Sequence, residues 1–339
     1  MWPEVFTIPF LDKPLGSFGL LVATGFLIGL AVAGKLFRRY GADPEHDPER
    51  FGDVAMWILI GVIAGGRLAF VLVNLDSYLE RPLDIFKIWE GGLVMYGGFI
   101  LAVVLGVWKA KRMHMPGWRT LDIGLTAGFL GQAIGRLGCL AVGDDYGRPT
   151  DVPWAITFPD PLPAGSAFDP ELAGVPVHPT QLYMAAKALA LFLFGLWLLK
   201  RKRFHGQVGL ALMAGYAVLR SIVEGFRFDS VARGGIFRSG FGPADVAVTR
   251  RELNIVDVHG VFHQDRYLQA LRDGVEGIDP QLLISTSQMV SIGVLAFVAV
   301  AWFLIRRRPE LQVGPDWPPP PPAPRSGGAA SASGTGSEA

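Results

Sequence analysis

The run from Phe51 to Val73, FGDVAMWILIGVIAGGRLAFVLV, decides the fold. Apart from Asp53 near its start and Arg67 near its end it is apolar, and a helix of roughly 20 such residues crosses a hydrocarbon core about 30 Å thick. Its glycines, Gly61, Gly65 and Gly66, let a neighbouring helix come close, as packing between membrane helices requires. Six further windows of this kind lie along the chain: Phe18 to Phe37, Leu93 to Trp108, Leu121 to Val142, Thr180 to Leu199, Val208 to Gly225 and Ile284 to Ile305. The window from Leu121 is the least uniform, because Asp122 and Arg136 interrupt it. Together they predict an all-α, polytopic integral membrane protein of about seven transmembrane helices.

Composition agrees. The chain has 339 residues, of which 50% are hydrophobic and only 18% charged, where soluble domains carry about a quarter charged residues. This excludes a soluble globular enzyme of ordinary make-up. A net charge of +1 offers no overall field to recruit nucleic acid, so none is expected as a partner. The single cysteine, Cys139, excludes an internal disulfide.

Lys and Arg in short loops set orientation. Lys35, Arg38, Arg39 and Arg50 follow the first span, Lys109, Lys111, Arg112 and Arg119 the third, Lys200 to Arg203 the fifth, and Arg306 to Arg308 the seventh. The alternate loops are poorer where they are short, with Lys13, Arg81, Lys87 and Arg148. The N-terminus is therefore expected outside and the C-terminus in the cytoplasm. Glu4 and Asp12 precede the first span in place of a basic stretch, so that span serves as its own targeting signal and no cleaved leader is expected. Residues 1–308 form the membrane domain, with 226–283 as an enlarged external loop or small subdomain. Residues 309–339, with a proline run from Pro318 to Pro322, read as a disordered cytoplasmic tail.

An arginine at the centre of a span costs about 2.5 to 3.5 kcal/mol, which makes it a functional candidate by default. Arg67, Arg136 and Arg220 lie on separate spans at one outward level. Each alone could snorkel to the interface, but three together favour a buried anion site. Tyr216, Arg220 and Glu224 are four apart with Arg227 three further on, which puts all four on one helical stripe; the competing reading is an Arg220–Glu224 pair that merely neutralises itself. Tyr96 follows Gly91 and Gly92 by about one turn, near the outer interface. In the segment from Gly135 to Thr150, Gly138 and Gly147 let backbone approach a ligand, and Arg136 offers a forked donor pair to a phosphate. Cys139 reads as a small buried hydrophobe. No P-loop, paired Cys-x-x-Cys, His-Glu-x-x-His or Gly-x-Ser-x-Gly pattern is present, and no histidine falls inside a span. Neither a metal nor another cofactor is expected.

Five motifs then resemble one family in order: Gly65-Gly66-Arg67; Trp89-Glu90-Gly91-Gly92-Leu93 through Tyr96-Gly97-Gly98; Gly135-Arg136-Leu137-Gly138; His178-Pro179-Thr180-Gln181-Leu182-Tyr183; and Gly215-Tyr216 through Arg220, Glu224 and Arg227. The likeness resumes at Ser285-Thr286-Ser287-Gln288. These are similar to the prolipoprotein diacylglyceryl transferases. The resemblance implies transfer of a diacylglyceryl group from phosphatidylglycerol to the lipobox cysteine of a preprolipoprotein, at the outer face of the bacterial plasma membrane, with release of glycerol phosphate. It implies Arg136, Arg220 and Tyr96 as catalytic residues. The head group would be held by Arg136, Arg67, Gly138, Gly147, Tyr216, Glu224, Arg227 and Gln181. The family pattern has histidine where this chain has Tyr96, asparagine in place of Cys139, a glutamate near Asp145, and often a tyrosine in place of Phe18. Two other readings compete: an impaired relative that binds lipid or lipoprotein without turnover, and an anion or lipid transporter. Transport would need a polar route inward, whereas the polar intramembrane residues cluster outward.

Overall fold

The computed structural model describes residues 1–8, 13–75, 78, 81–87, 92, 94–228, 235–237, 266 and 282–319. Among them are seven long helices: α1 (Ser17–Tyr40), α2 (Asp47–Val73), α3 (Met95–Arg112), α4 (Gly117–Val142), α5 (Thr180–Leu199), α6 (Gln207–Glu224) and α7 (Thr286–Ile305). Each covers one of the apolar windows. By length and composition α1, α2, α4, α5 and α7 suffice to cross a membrane. The other two have 18 residues each; α3 ends in Lys109, Lys111 and Arg112, and α6 contains Arg220 and Glu224. The chain is a mostly helical, multi-pass membrane protein.

Its surface and interior fit lipid as solvent. Leu27, Leu72, Phe99, Leu193 and Phe297 are exposed on the helix flanks, while Asp122, Thr126, Gln181, Lys202 and Arg227 are buried. A water-soluble protein would largely reverse that distribution. α1 packs along α4 and α2 along α3; α5 and α6 lean on α4, and α7 on α6. Glycine permits the closest approaches. A Cβ on Gly25 of α1 would lie 2.5 Å from the Gly131 carbonyl oxygen of α4, and one on Gly61 of α2 would lie 2.6 Å from Ala102 Cα of α3, so a methyl group at either position forces the pair apart.

Short antiparallel ribbons tie the connections: β1 (Glu4–Ile8) with β2 (Lys13–Gly16), β3 (Ile156–Thr157) with β4 (Pro176–Val177), and β5 (Gly235–Phe237) with β6 (Leu282–Ser285). The last ribbon brings together the two ends of the long loop at the start of α7. Nearly all of that loop, expected to be a subdomain, lies outside the described residues. α7 opens with a capping box, Ser285 Oγ accepting from the Gln288 N–H and Gln288 Oε1 from the Ser285 N–H. α4 closes at Gly143, whose φ of 81° suits glycine and whose N–H donates to the Cys139 carbonyl at 2.9 Å.

The N-terminal end of α4 holds a closed polar cluster. Asp122 accepts from Lys202 Nζ at 2.8 Å, from the Gly206 N–H at 2.9 Å and from the Gly209 N–H at 2.8 Å. It thereby caps the N-terminus of α6 with a negative charge, where backbone donors and helix dipole favour one. Trp317 covers this cluster, its indole N–H on the Leu199 carbonyl at 2.8 Å and its ring 4.6 Å from Lys202 Nζ and 5.2 Å from Arg119 Cζ. Burial beside Lys202 and Arg119 pushes His205 down to about 4.

Trp317 belongs to the stretch read from sequence as the start of a disordered tail. Here the structure departs from that expectation. Residues 309–319 are described; Pro309–Leu311 form a 3-10 turn, and the Val313 N–H donates to the Arg203 carbonyl at 3.0 Å. An aromatic ring with three polar neighbours to satisfy outweighs the local proline signal. Residues 320–339 lie outside the described set.

Candidate active site

At the other end of the same helices stands a cation-rich cluster. Arg136 lies six residues before the end of α4, Lys187 seven after the start of α5, and Arg220 four before the end of α6. A rise of about 1.5 Å per residue sets all three roughly 6 to 10 Å inside their helix ends. Beyond Gly143 the chain turns back over the helix ends, and Asp145 sits there with a φ of 59°, a conformation few non-glycine residues adopt. This turn is pinned from α5: Thr180 Oγ1 donates to the Asp145 carbonyl at 2.5 Å and Gln181 Nε2 to the Asp144 carbonyl at 2.8 Å.

The Asp145 carboxylate is the hub. Arg136 donates to its Oδ2, and Arg227 to its Oδ1 at 2.5 Å. Alongside, Arg220 donates to Glu224 Oε2 and, at 3.0 Å, to Ser287 Oγ at the start of α7. Arg220, Glu224 and Arg227 are buried, Arg227 to 1% exposure. Burying guanidinium groups requires paired charge and hydrogen bonds. Among the described residues Asp145 pairs with Arg136 and Arg227, and Glu224 with Arg220, so both carboxylates answer this need.

Several sequence expectations meet in this cluster. Arg136, Arg220, Glu224 and Arg227 come together in it, Tyr216 lies beside it on α6, and Gln181 holds its floor. Arg227 arrives by a different route from the predicted stripe. α6 stops at Glu224, and Arg227 is carried on a β-bridge to Gly147, its carbonyl accepting from Arg148 Nε at 3.0 Å. The contacts of Arg67 with described residues lie outside the cluster. Its Nε, Nη1 and Nη2 donate to the carbonyls of Ile85 (2.9 Å), Gly92 (3.3 Å) and Asp84 (2.6 Å), with Phe70 and Tyr78 against the guanidinium. It pins the loop between α2 and α3. In that loop a hydrogen bond from Lys87 holds the Asp84 carboxyl below its usual range.

Gly138 and Gly147 each lie against a neighbouring chain segment. A Cβ on Gly147 would sit 2.5 Å from both Cβ and O of His178, and one on Gly138 would sit 3.3 Å from Phe18 Cα. Both make room for neighbouring chain segments. Tyr96 lies in the first turn of α3, anchored next to α2 by the Val94 N–H on the Gly66 carbonyl at 2.9 Å; its side chain is outside the described residues, as are Trp89, Glu90, Gly91 and Leu93. Cys139 is buried, its Sγ 3.8 Å from Arg136 Nη1.

Cys139, Asp144 and Asp145 bring potential ligand atoms within 4.8 Å of one another. Two guanidinium groups on the Asp145 carboxylate make that spot unfavourable for a cation. The sequence reading passed over Lys187, which is 5% exposed, and Asp145 as a hub. The rule that singles out an intramembrane arginine applies equally to a lysine within Thr180 to Leu199, so the first of these was available. Nothing local announces the second.

Apolar flanks around a buried cluster of arginines and carboxylates define a multi-pass membrane protein with an intramembrane charged site. The chain belongs to the prolipoprotein diacylglyceryl transferase family, whose model matches residues 3–255. It is 31% identical over 250 residues to the phosphatidylglycerol–prolipoprotein diacylglyceryl transferase of Synechococcus elongatus, covering 72% of this chain and 83% of the relative. It is 36% identical to the enzyme of that name from Finegoldia magna over 65% of this chain and 82% of the relative. For the one from Pseudomonas putida the identity is 35%, over 69% and 85%.

Proposed function

We propose that this chain is a transferase that moves the diacylglyceryl group of phosphatidylglycerol to the thiol of a lipobox cysteine in a preprolipoprotein. In the reaction a carbon–sulfur bond forms at the diacylglyceryl carbon and the carbon–oxygen bond to phosphate breaks. The bonding pair stays on the phosphate oxygen, so glycerol phosphate leaves, and the thiol proton passes to it or to water. The observation that carries this reading is the convergence of Arg136, Arg220 and Arg227, from α4, α6 and the segment after α6, on Asp145 and Glu224. Fixed donors in a site shielded from water stabilise charge growing on a leaving phosphate far better than water does.

Arg136 and Arg220 are assigned to the leaving phosphate, with Arg227, Glu224, Tyr216 and Gln181 shaping the head-group site. Arg67 acts through the loop it pins. Tyr96, at the mouth of α3, is the candidate to accept or orient the thiol proton. All seven helices span the plasma membrane in this reading, the N-terminus outside, the C-terminus cytoplasmic, and the arginine cluster toward the outer leaflet; the basic loops following α1, α3, α5 and α7 support that orientation.

The test is to mix purified protein in phosphatidylglycerol micelles with a lipobox peptide, weigh the peptide and assay released glycerol phosphate. A diacylglyceryl mass gain matched by glycerol phosphate, and absent for a Cys→Ser peptide, is expected. Binding of both substrates with no mass gain would instead indicate an impaired relative.

A further inference from the structure

Lys187 stands one helix away from the arginines, in the middle of an otherwise apolar stretch of α5. Its ammonium group is 3.2 Å from the Met184 sulfur and 3.9 Å above the Tyr216 ring. Those are its polar contacts among the described residues, and neither is a carboxylate. A thioether is a weak acceptor, and a ring face offers an attraction of only about 0.5 to 2 kcal/mol. Its charged neighbours are Arg220, Arg136 and Arg227. A basic side chain that is 5% exposed and faced by three guanidinium groups is costly to keep charged there unless an anion comes to it. Arg136 and Arg227 already share Asp145, and Arg220 already holds Glu224. Among the described residues Lys187 is the basic group of this cluster with no carboxylate of its own.

We propose that Lys187 binds the phosphate of the departing glycerol phosphate, contacting the oxygen that gains the second negative charge when the carbon–oxygen bond breaks. The assignment rests on the transfer reading given above. Tyr216 acquires a definite task from it: its ring carries the ammonium group at the level of Arg136 and Arg220, so that the phosphate is met from α4, α5 and α6 at once. A compact ammonium group with three rotatable donors suits an oxygen whose position shifts during the reaction, whereas the arginine forks are held by their carboxylates.

The test compares wild type with Lys187→Met, which keeps an unbranched chain of similar length, and Lys187→Arg, which keeps the charge. Binding of sn-glycerol phosphate to detergent-solubilised protein is read by calorimetry, and transfer by glycerol phosphate release. Lys187→Met is expected to weaken glycerol phosphate binding about tenfold, equivalent to about 1.4 kcal/mol, and to lower kcat more than it raises KM for phosphatidylglycerol. Lys187→Arg is expected to recover most of both. Wild-type affinity in Lys187→Met overturns the proposal, and so does a Lys187→Arg variant as impaired in binding as Lys187→Met. Should wild type bind glycerol phosphate through Lys187 yet add no mass to a lipobox peptide, the transfer reading fails while this binding assignment stands.

Discussion

Asp122 near the start of α4 and Asp145 just past its end are both carboxylates held by cations, and their surroundings differ in kind. Asp122 faces one ammonium and two backbone N–H groups at 2.8 to 2.9 Å, beneath Trp317. Its single negative charge meets the single positive charge of Lys202, and every oxygen is used. Asp145 instead joins two arginines, with Arg220, Lys187, Glu224 and Asp144 close by. A closed cluster of one carboxylate and its donors stabilises a fold and has nothing left to offer a ligand. One that gathers several cationic side chains from different helices keeps the capacity to hold an incoming anion.

Breaking the closed cluster is expected to have the largest effect. Asp122→Ala strands Lys202 and uncaps α6, and removing one member of a buried pair costs about 3 to 5 kcal/mol. A large drop in melting temperature in detergent is the expected readout, with turnover per folded molecule close to wild type. Arg136→Ala attacks the other end. It is expected to lower kcat by about a hundredfold to a thousandfold, as loss of one donor to transition-state charge does, with a smaller fall in melting temperature than Asp122→Ala because Asp145 keeps Arg227.

The Trp317 cover sharpens the contrast. Trp317→Ala removes an indole hydrogen bond and packing on Tyr40, Lys202 and Arg119, at a cost of about 2 kcal/mol read by thermal melting. A chain ending after Pro319 is expected to melt with the full chain, and one ending after Arg308 well below it. The smallest effect is one of pH. His205 titrates at about 4 in the folded chain against an ordinary 6.5. Between those values the unfolded chain takes up a proton that the folded chain refuses, so stability falls as pH drops from about 6.5 to about 4 and is flat above. His205→Gln is expected to remove this component from the melting curve.

The helices were legible in the sequence because lipid demands unbroken apolar runs, and Thr180 to Leu199 reads the same in both. Arg136 and Arg220 were legible because charge in such a run is costly enough to need a reason. What stayed hidden depends on partners far along the chain. Lys202 reaches Asp122 across 80 positions and Arg227 reaches Asp145 across 82, so Asp122 read as an interruption of its span and Arg227 as one more step of a helix. Arg67 looked like its two counterparts by depth alone, and its bonds to the carbonyls of Asp84, Ile85 and Gly92 distinguish it. Trp317 was masked by the prolines that follow it.

The division between the two ends rests most directly on the turnover of Arg136→Ala and Asp122→Ala, assayed side by side at saturating phosphatidylglycerol, at a temperature where both are folded. Near-wild-type transfer by Asp122→Ala and a loss of about a hundredfold or more in Arg136→Ala is the predicted result. Arg136→Ala within a few-fold of wild type, or an equal loss in both variants, would contradict it.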